Sequence, residues 1–439
     1  MARIRRSQTM SRADAAWLHM EDPTNLMMIS ALFTFKGKLD PGRFRDLLEN
    51  RLLPYDRFKM RVGYPKIGVG RPLWKQYRHF DLDNHLEFHT LEAPGDEPAL
   101  MKLVSDLMST PLDREVSLWK FHVVHGFGAG SALICRIHHA IADGIALLRV
   151  LLSLTESEAQ GDDLLEAPNR SSAALANKGS LTVIPSKLID VARGYGTVAS
   201  DLGKLLIEAE PNSPFRGPLG VAKQAACTGR ICLDSIKEAR LRAGCTVNDV
   251  LMAAVAGGLR RHYQRIQGDP ARNVNLRAMI PVDLRKPGKE QALGNRFGLV
   301  FLGLPVGLDS PNHRLAEVQK RMNALKRSPQ AVVVLGLLAA VGSIPSEMQQ
   351  HIVDLFASKG TAVVSNVPGP RAPMSLAGES IDSLMFWVPQ SGRLGLGVSV
   401  MSYAGKVKFG VAADAGLPVQ AQGLAYDIEA ALEELIQAL

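Results

Sequence analysis

The sequence is poor in cysteine, and it contains no hydrophobic run long enough to cross a membrane. Its 439 residues include four cysteines whose spacing matches no zinc or redox motif. This excludes a disulfide framework and favours a reducing compartment. The longest apolar stretch, residues 331–344, is shorter than the roughly 20 residues that a membrane-spanning helix needs. Residues 1–12 contain four arginines with no apolar segment after them, so we expect no secretory signal.

The composition is that of a folded protein with a mild excess of positive charge. Hydrophobic residues make up 46% of the chain and charged residues 21%, with a formal net charge of +8. The excess is compatible with an anionic membrane surface or an anionic ligand. Nucleic-acid binding is not expected, because no basic stripe is interleaved with aromatic residues.

Helical and extended patterns alternate in both halves of the chain, which predicts a mixed α/β (α+β) fold of two domains. We expect a first domain over residues 1–156, a polar connection over 157–215 containing a helix at 184–206, and a second domain over 216–439. The helical patterns cover 14–20, 41–52, 97–109, 144–154, 247–265, 313–326 and 420–439. The extended patterns cover 25–35, 121–124, 131–137, 275–282 and 296–304, with further extended segments within 362–413.

One segment, His138-His139-Ala140-Ile141-Ala142-Asp143-Gly144, carries the residues best suited to catalysis. It follows an apolar strand and precedes an apolar helix. Adjacent side chains on a strand point to opposite faces, so only one of the two histidines should face a cleft. A neutral imidazole can act as a base near pH 7, and a glycine allows the backbone to approach a ligand closely.

The same residues also fit structural roles. Asp143 is an ordinary N-cap for the helix that follows, a buried histidine can be a satisfied core group, and Gly144 can relieve a turn. Two adjacent histidines can suggest a metal. No third histidine or cysteine lies at ligand spacing nearby, so we expect no metal site. These residues alone leave catalytic and structural roles open.

Further segments, taken together and in order, indicate a family. The segment HHAIADG resembles the HHxxxDG signature of bacterial wax ester synthases/diacylglycerol acyltransferases. These enzymes belong to the coenzyme A-dependent acyltransferase superfamily, with chloramphenicol acetyltransferase and peptide-synthetase condensation domains. The other matching segments are PLDR at 111–114 with LW at 118–119 (Ser117 replacing a usual proline), GPLG at 217–220, TVND at 246–249, PVDLR at 281–285 with GN at 294–295, and SNVPGP at 365–370.

The resemblance implies two chloramphenicol-acetyltransferase-like domains with an active-site tunnel at their interface. It also implies O-acyl transfer from a fatty acyl-coenzyme A, with His139 as the general base. The other implied roles are His138 as support, Asp143 as an orienting group that pairs with Arg285, Gly144 as space for the donor, and Asn248 and Asn366 as residues lining the substrate site. Asn248 follows Thr246, which with Asp249 also has the spacing of a helix capping box. Ser11 and Asp14 have the same spacing at the start of the first helix. Cys135 lies inside an apolar strand, which favours a core position over a role as nucleophile.

The implied substrates are acyl-coenzyme A and either a long-chain alcohol, giving wax ester, or a diacylglycerol, giving triacylglycerol. No cofactor is expected. The expected location is cytoplasmic, with peripheral contact to the inner membrane or lipid inclusions. Candidate lipid-contacting parts are the arginines at 3, 5, 6 and 12, the helix at 313–327 and the apolar run at 331–344. Two alternatives remain open: a condensation-type acyltransferase that uses a carrier-protein thioester, and a non-catalytic lipid-body protein.

Overall fold

The structure is a computed structural model that describes residues 7–65, 70–157, 213–272, 274–283, 295, 297–328, 358–390 and 392–439. Elements are numbered among these residues. The helices are α1 (Arg12–His19), α2 (Pro41–Leu47), α3 (Glu97–Met108), α4 (Gly144–Ser153), α5 (Leu233–Ala243), α6 (Val247–Gln267), α7 (Pro311–Arg327) and α8 (Ala421–Ala438). The strands are β1 (Ser7–Thr9), β2 (Met28–Phe35), β3 (Met60–Gly63), β4 (Leu73–Gln76), β5 (Leu86–Thr90), β6 (Trp119–Phe127), β7 (Gly130–His138), β8 (Glu156–Ser157), β9 (Lys223–Cys227), β10 (Ile231–Cys232), β11 (Leu276–Asp283), β12 (Phe297–Leu304), β13 (Ala362–Pro368), β14 (Met374–Leu376), β15 (Glu379–Trp387), β16 (Leu396–Tyr403) and β17 (Lys406–Asp414).

The first large sheet has the strand order β5-β6-β7-β2-β15-β14-β8. β5 and β6 pair in parallel, and the other neighbouring strands pair in antiparallel fashion. Every residue of β2 and β7 is buried, so these central strands are covered on both faces. Their burial fixes the end of β7, where the two histidines lie.

The second large sheet has the order β10-β17-β16-β13-β11-β12, with β9 also paired to β17. A hydrophobic core between one face of this sheet and helices α6, α7 and α8 includes Val364 and Ile428. The backbones of α6 and α8 approach so closely that a Cβ atom at Gly258 would lie 2.6 Å from the Cα atom of Ile428. Glycine is therefore required at this helix crossing.

Two strands from the second half of the chain complete the first sheet. β15 pairs with β2, and β14 joins β15 to β8. The side chains of Thr34 and Ser383 form a 2.8 Å hydrogen bond across the β2–β15 pair. The halves are thus interlocked through a shared sheet, which the sequence pattern does not predict. The domain boundaries at 156 and 216 stay a prediction.

Most predicted elements are present with small shifts at their ends. β6 and β7 are longer than predicted, because the flanking polar residues also pair in the sheet. The helix predicted over 41–52 is α-helical to Leu47 and continues as a π-helix over Leu48–Leu52. The helix predicted at 184–206 and the apolar run at 331–344 lie outside the described residues. None of the described helices is both long and apolar enough to span a membrane.

The basic helix predicted at 313–326 corresponds to α7. Its apolar side chains Leu315, Val318 and Met322 are buried. The other face is partly neutralised, since Glu317 pairs with Lys320 and Arg321. Only the polar face of α7 is therefore available to a surface such as a membrane.

Candidate active site

The segment that carries the two histidines is a short buried connection between β7 and α4. Ala140, Ile141 and Ala142 are fully buried, and the N–H of Ile141 donates to the carbonyl oxygen of His138 at 3.0 Å. Asp143 is the N-cap of α4 and accepts from the N–H of Ala146 at 3.1 Å. The N-cap predicted from the sequence is confirmed, and it holds the connection in one conformation.

His138 is fixed in orientation by its neighbours. Its Nδ1 accepts the N–H of Ala140 at 2.9 Å, so Nε2 carries the proton and faces Glu21 Oε2 at 2.9 Å. The other oxygen of Glu21 accepts from Arg114 at 2.7 Å. Burial alone would raise the pKa of Glu21, but His138 and Arg114 outweigh it and lower that pKa to about 2. His138 is therefore anchored to a buried carboxylate.

His139 diverges from His138, as strand geometry predicts, and its tautomer follows from its partner Asn295. The Nδ2 of Asn295 donates to two acceptors, the carbonyl oxygen of His139 and Asp14 Oδ1, both at 2.9 Å. This orients the amide, so the Oδ1 of Asn295, 2.7 Å from His139 Nδ1, must be an acceptor. His139 thus carries its proton on Nδ1, and Nε2 has a free lone pair.

The surroundings of His139 are aromatic and nearly dry. Its ring stacks on Trp17 with centroids 4.1 Å apart, and the ring of Phe297 lies 5.6 Å away. The side chain is 7% exposed. Burial lowers the pKa of His139 to about 4, against the opposing charge of Asp143. At neutral pH the imidazole is therefore an uncharged base.

The other predicted site residues are less closely joined to His139. Gly144 begins α4, and a Cβ atom there would meet only Ile29 Cδ1, at an ordinary 3.8 Å. The packing of the described residues therefore does not require a glycine at this position, and its role as space for the donor stays a prediction. Arg285 lies outside the described residues, so its pairing with Asp143 stays a prediction.

Asn248 and Asn366 contact each other rather than His139. Asn366 Nδ2 donates to Asn248 Oδ1 at 3.1 Å. By strand alternation, Asn366 lies on the same sheet face as Val364, but it is exposed where Val364 is buried. Phe297 packs in the core on the other face of the second sheet. No hydrogen bond joins either amide to His139 among the described residues, and their substrate-binding roles stay predictions.

The sequence analysis missed four groups around the histidines: Asp14, Asn295, Trp17 and Glu21. Ser11 caps α1 as predicted, but the carboxylate of Asp14 turns away from the helix terminus to Asn295 and Arg57. Asn295 belongs to the family-like GN segment, which was the available signal for it. Arg114 binds Glu21, and Asp113 accepts the backbone N–H of Glu115 at 2.8 Å.

Three potential metal ligands come together elsewhere, on β5 and β6. Each of three residues offers one potential ligand atom, and these atoms lie within 4.8 Å of one another: Glu87, His89 and His122. However, Lys120 Nζ binds Glu87 at 2.8 Å, and Arg136 Nη1 lies 3.5 Å from His122 Nε2. A metal on Nδ1 of His122 would place a proton on Nε2 facing this donor. Both cations also repel a metal ion, so these residues do not fit one well.

Comparison with known proteins decides the family. Residues 10–251 match the family model "wax ester synthase/diacylglycerol acyltransferase catalytic domain", and residues 293–436 match the corresponding C-terminal domain. The chain belongs to the wax ester synthase/diacylglycerol acyltransferase family. It is therefore an acyltransferase.

Relatives in this family align along almost the whole chain. A Mycobacterium tuberculosis protein named "probable diacylglycerol O-acyltransferase tgs1" is 30% identical over 440 residues, covering 96% of this chain and 94% of that protein. A second protein from the same species, tgs2 with the same description, is 28% identical over 97% of this chain and 98% of its own length. The family resemblance deduced from the motifs is confirmed.

Solved structures show the same fold. A wax ester synthase/diacylglycerol acyltransferase from Marinobacter aquaeolei VT8 superposes with a TM-score of 0.69 at 22% identity, over 98% of this chain and 100% of that one. The first condensation domain of the calcium-dependent antibiotic synthetase gives a TM-score of 0.64 at 16% identity, over 98% and 95%. The predicted chloramphenicol-acetyltransferase-like fold class is confirmed.

Proposed function

We propose that this acyltransferase moves a fatty acyl group from acyl-coenzyme A directly to the hydroxyl of a long-chain alcohol or a diacylglycerol. The observation that carries the proposal is the neutral His139, whose Nδ1–H is held by Asn295 while Nε2 keeps its lone pair. An imidazole in this form is a ready general base. The family supports a lipid hydroxyl as the acceptor.

In the proposed reaction, Nε2 of His139 removes the hydroxyl proton as the oxygen attacks the thioester carbonyl. The tetrahedral intermediate then collapses, the carbon–sulfur bond breaks, and the imidazolium returns its proton to the departing thiolate. Such proton transfer typically contributes about 10²–10⁴-fold to the rate. Candidate donors for the oxyanion are the N–H groups of Gly144 and Ile145 in the first turn of α4, because the N–H of Ala146 already donates to Asp143.

Direct transfer requires no acyl-enzyme, and the surroundings of the nearest thiol support this. Cys135 is four residues before His139 but is fully buried in β7. Burial raises its pKa well above the ordinary value, so the thiol stays protonated and unreactive at neutral pH. Cys135 is accordingly a core residue, as the sequence predicts.

The proposal is tested with purified protein, a labelled acyl-coenzyme A, and hexadecanol and a diacylglycerol in competition. We expect an ester of at least one acceptor, strongly reduced in His139→Gln and unchanged in the control His79→Ala, which alters an exposed histidine. Transfer from an acylated carrier protein but not from free acyl-coenzyme A would instead support a condensation-type enzyme. Lipid-body association without any transfer would support a non-catalytic protein.

We further propose that the enzyme acts in the cytoplasm, bound peripherally to the inner membrane or lipid inclusions. The reason is that its acceptors are nearly insoluble in water. Arg12 is exposed, and Arg3, Arg5 and Arg6 lie outside the described residues. Near an anionic bilayer each basic residue contributes about 1 kcal/mol.

Replacing these four arginines by glutamine should weaken binding to anionic vesicles and raise KM for a membrane-presented alcohol. Activity on a short soluble alcohol should be retained, because the His139 site is unchanged. Added salt should weaken the binding of the parent protein in the same way. Vesicle binding that responds to neither the substitutions nor salt would refute a role for the arginines.

A further inference from the structure

We propose that Asn295 is the positioning residue that selects the base tautomer of His139, and that Asp14, with Arg57, holds Asn295 in the required orientation. The proposal rests on the proposed function of His139 and extends it. It concerns a residue 156 positions away in the sequence, in the other half of the chain. On this proposal, the catalytic base and the residue that positions it come from different halves of the chain.

The first step of the argument is that Asn295 has only one productive orientation. Rotating its amide by 180° would place Nδ2 against the Nδ1–H of His139. It would also place Oδ1 against the carbonyl of His139 and the carboxylate of Asp14, so three contacts that are now favourable would oppose each other. Asn295 is 8% exposed, and a buried polar group without a partner costs about 1–3 kcal/mol. The flipped amide is therefore disfavoured.

The second step is that Asp14 is itself fixed. Its side chain is fully buried, and its Oδ1 accepts both the backbone N–H (3.2 Å) and the side-chain N–H (2.9 Å) of Asn295. Its Oδ2 lies 3.1 Å from Arg57 Nη1, which also donates to the carbonyl oxygen of Ile141 at 2.7 Å. The same guanidinium thus ties Asp14 to the loop that carries His139.

The third step concerns what this arrangement does for the reaction. A buried ion pair is weak evidence for stability, because desolvation offsets the attraction between its charges. Here the pair fixes an acceptor for the Nδ1–H, and that bond becomes charge-assisted when His139 turns into an imidazolium. Without Asn295, the neutral ring could carry its proton on Nε2. Nε2 would then have no lone pair with which to accept the hydroxyl proton of the substrate.

The test measures the tautomer of His139 directly, by nitrogen-15 NMR of histidine-labelled protein, together with kcat, KM and the pH profile. The His139 signal is assigned by its loss in His139→Gln. We expect a protonated Nδ1 and an unprotonated Nε2 in the parent protein. In Asn295→Leu we expect protonation to move toward Nε2 and kcat to fall between tenfold and about 10²-fold, with KM little changed.

A double variant and a matched control separate positioning from stability. Asp14→Asn with Asn295→Asp exchanges the amide and the carboxylate, so one oxygen of residue 295 again accepts from Nδ1 and residue 14 donates to the other, while the bond to the carbonyl oxygen of His139 is lost. We expect this double variant to keep the parent tautomer and to recover activity relative to Asn295→Leu. Asn25→Leu removes another buried amide that bridges the halves, through the carbonyl of Leu394 at 3.2 Å. It should lose stability and keep the tautomer.

Parent-like Nδ1 and Nε2 signals in folded Asn295→Leu would overturn the proposal, as would an equal loss of the tautomer in Asn25→Leu. If Asn295→Leu does not fold, the double variant decides alone, because a neutral ring there with its only proton on Nε2 would refute the assignment. The NMR result does not depend on the acceptor. An enzyme that shows the expected tautomers but esterifies no tested hydroxyl would contradict the proposed function and not the positioning role.

Discussion

The low pKa of His139 predicts an unusual pH dependence of catalysis. Burial lowers this pKa from 6.5 to about 4, a difference that corresponds to about 3 kcal/mol against the charged ring. We therefore expect kcat/KM to stay nearly constant from pH 7 to 5 and to fall about tenfold per unit below pH 4. A histidine with an ordinary pKa would leave roughly 1% of the base neutral at pH 4.5, whereas His139 stays mostly neutral there.

Acid also weakens the fold, and the assay must separate the two effects. The pKa of His122 is lowered to about 3, mainly by burial. Above pH 6.5 this histidine is neutral in both the folded and the unfolded state, so its titration does not affect stability. As pH drops from 6.5 toward the folded pKa, only the unfolded state takes up the proton, and the free energy of unfolding falls by about 1.4 kcal/mol per unit. The contribution of Glu21 is present above pH 4.5 and is lost toward pH 2.

The measurement therefore uses brief exposure to each pH, a short soluble alcohol, and quantification of labelled ester after extraction. A return jump to pH 7.5 must recover full activity, which shows that the enzyme stayed folded. If kcat/KM already falls below pH 6.5 in enzyme that passes this control, a buried, neutral His139 is refuted as the base. A fall in kcat/KM that begins only near pH 4, and that the uncatalysed reaction does not show, supports His139 as the base.

Three further predictions test single groups. Glu21→Gln should lower the free energy of unfolding at pH 7 by about 1–3 kcal/mol in a urea titration, because the carboxylate that binds both His138 and Arg114 is lost. An unchanged midpoint would show that these contacts do not stabilise the fold. Gly144→Ala should leave the melting temperature within a few degrees, since the new methyl group meets only Ile29 at 3.8 Å. It should raise KM for acyl-coenzyme A, and an unchanged KM would argue against binding of the acyl donor over this residue. Enzyme mixed with acyl-coenzyme A alone should show no acyl adduct by mass spectrometry, and an adduct on Cys135 would contradict direct transfer.

Local patterns were sufficient to predict much of the fold. The ends of α4 and α6 are set by side chains near in sequence, such as Asp143 and the capping box of Thr246 and Asp249, and the structure confirms both. The divergence of His138 and His139 follows from strand geometry and is likewise confirmed. The two helix starts depend on hydrogen bonds between residues three positions apart, and the divergence follows from the alternation of side chains along an extended chain.

The partners of the histidines could not be predicted in this way. Asn295 is 156 positions from His139, and Asp14 is 281 positions from Asn295. No periodicity relates residues at such distances. The capping-box spacing of Ser11 and Asp14 suggested a local role for a carboxylate whose hydrogen bonds are in fact long-range. The pairing of β15 with β2 is a similar case, since strand order is decided by packing of the whole chain.

The position of Asn295 links catalysis to the contact between the two halves. Asn295 lies two residues before Phe297, the first residue of β12 in the second sheet, while His139 follows the last residue of β7 in the first. A small shift of one sheet against the other would lengthen the 2.7 Å Asn295–His139 bond before it disrupted either core. Substitutions that disturb the shared sheet, such as at the Thr34–Ser383 bond, should therefore lower kcat by a larger factor than they lower the folding equilibrium constant. Substitutions at the α6–α8 crossing lie on the far face of the second sheet, away from His139. They should lower the folding equilibrium constant by a larger factor than they lower kcat.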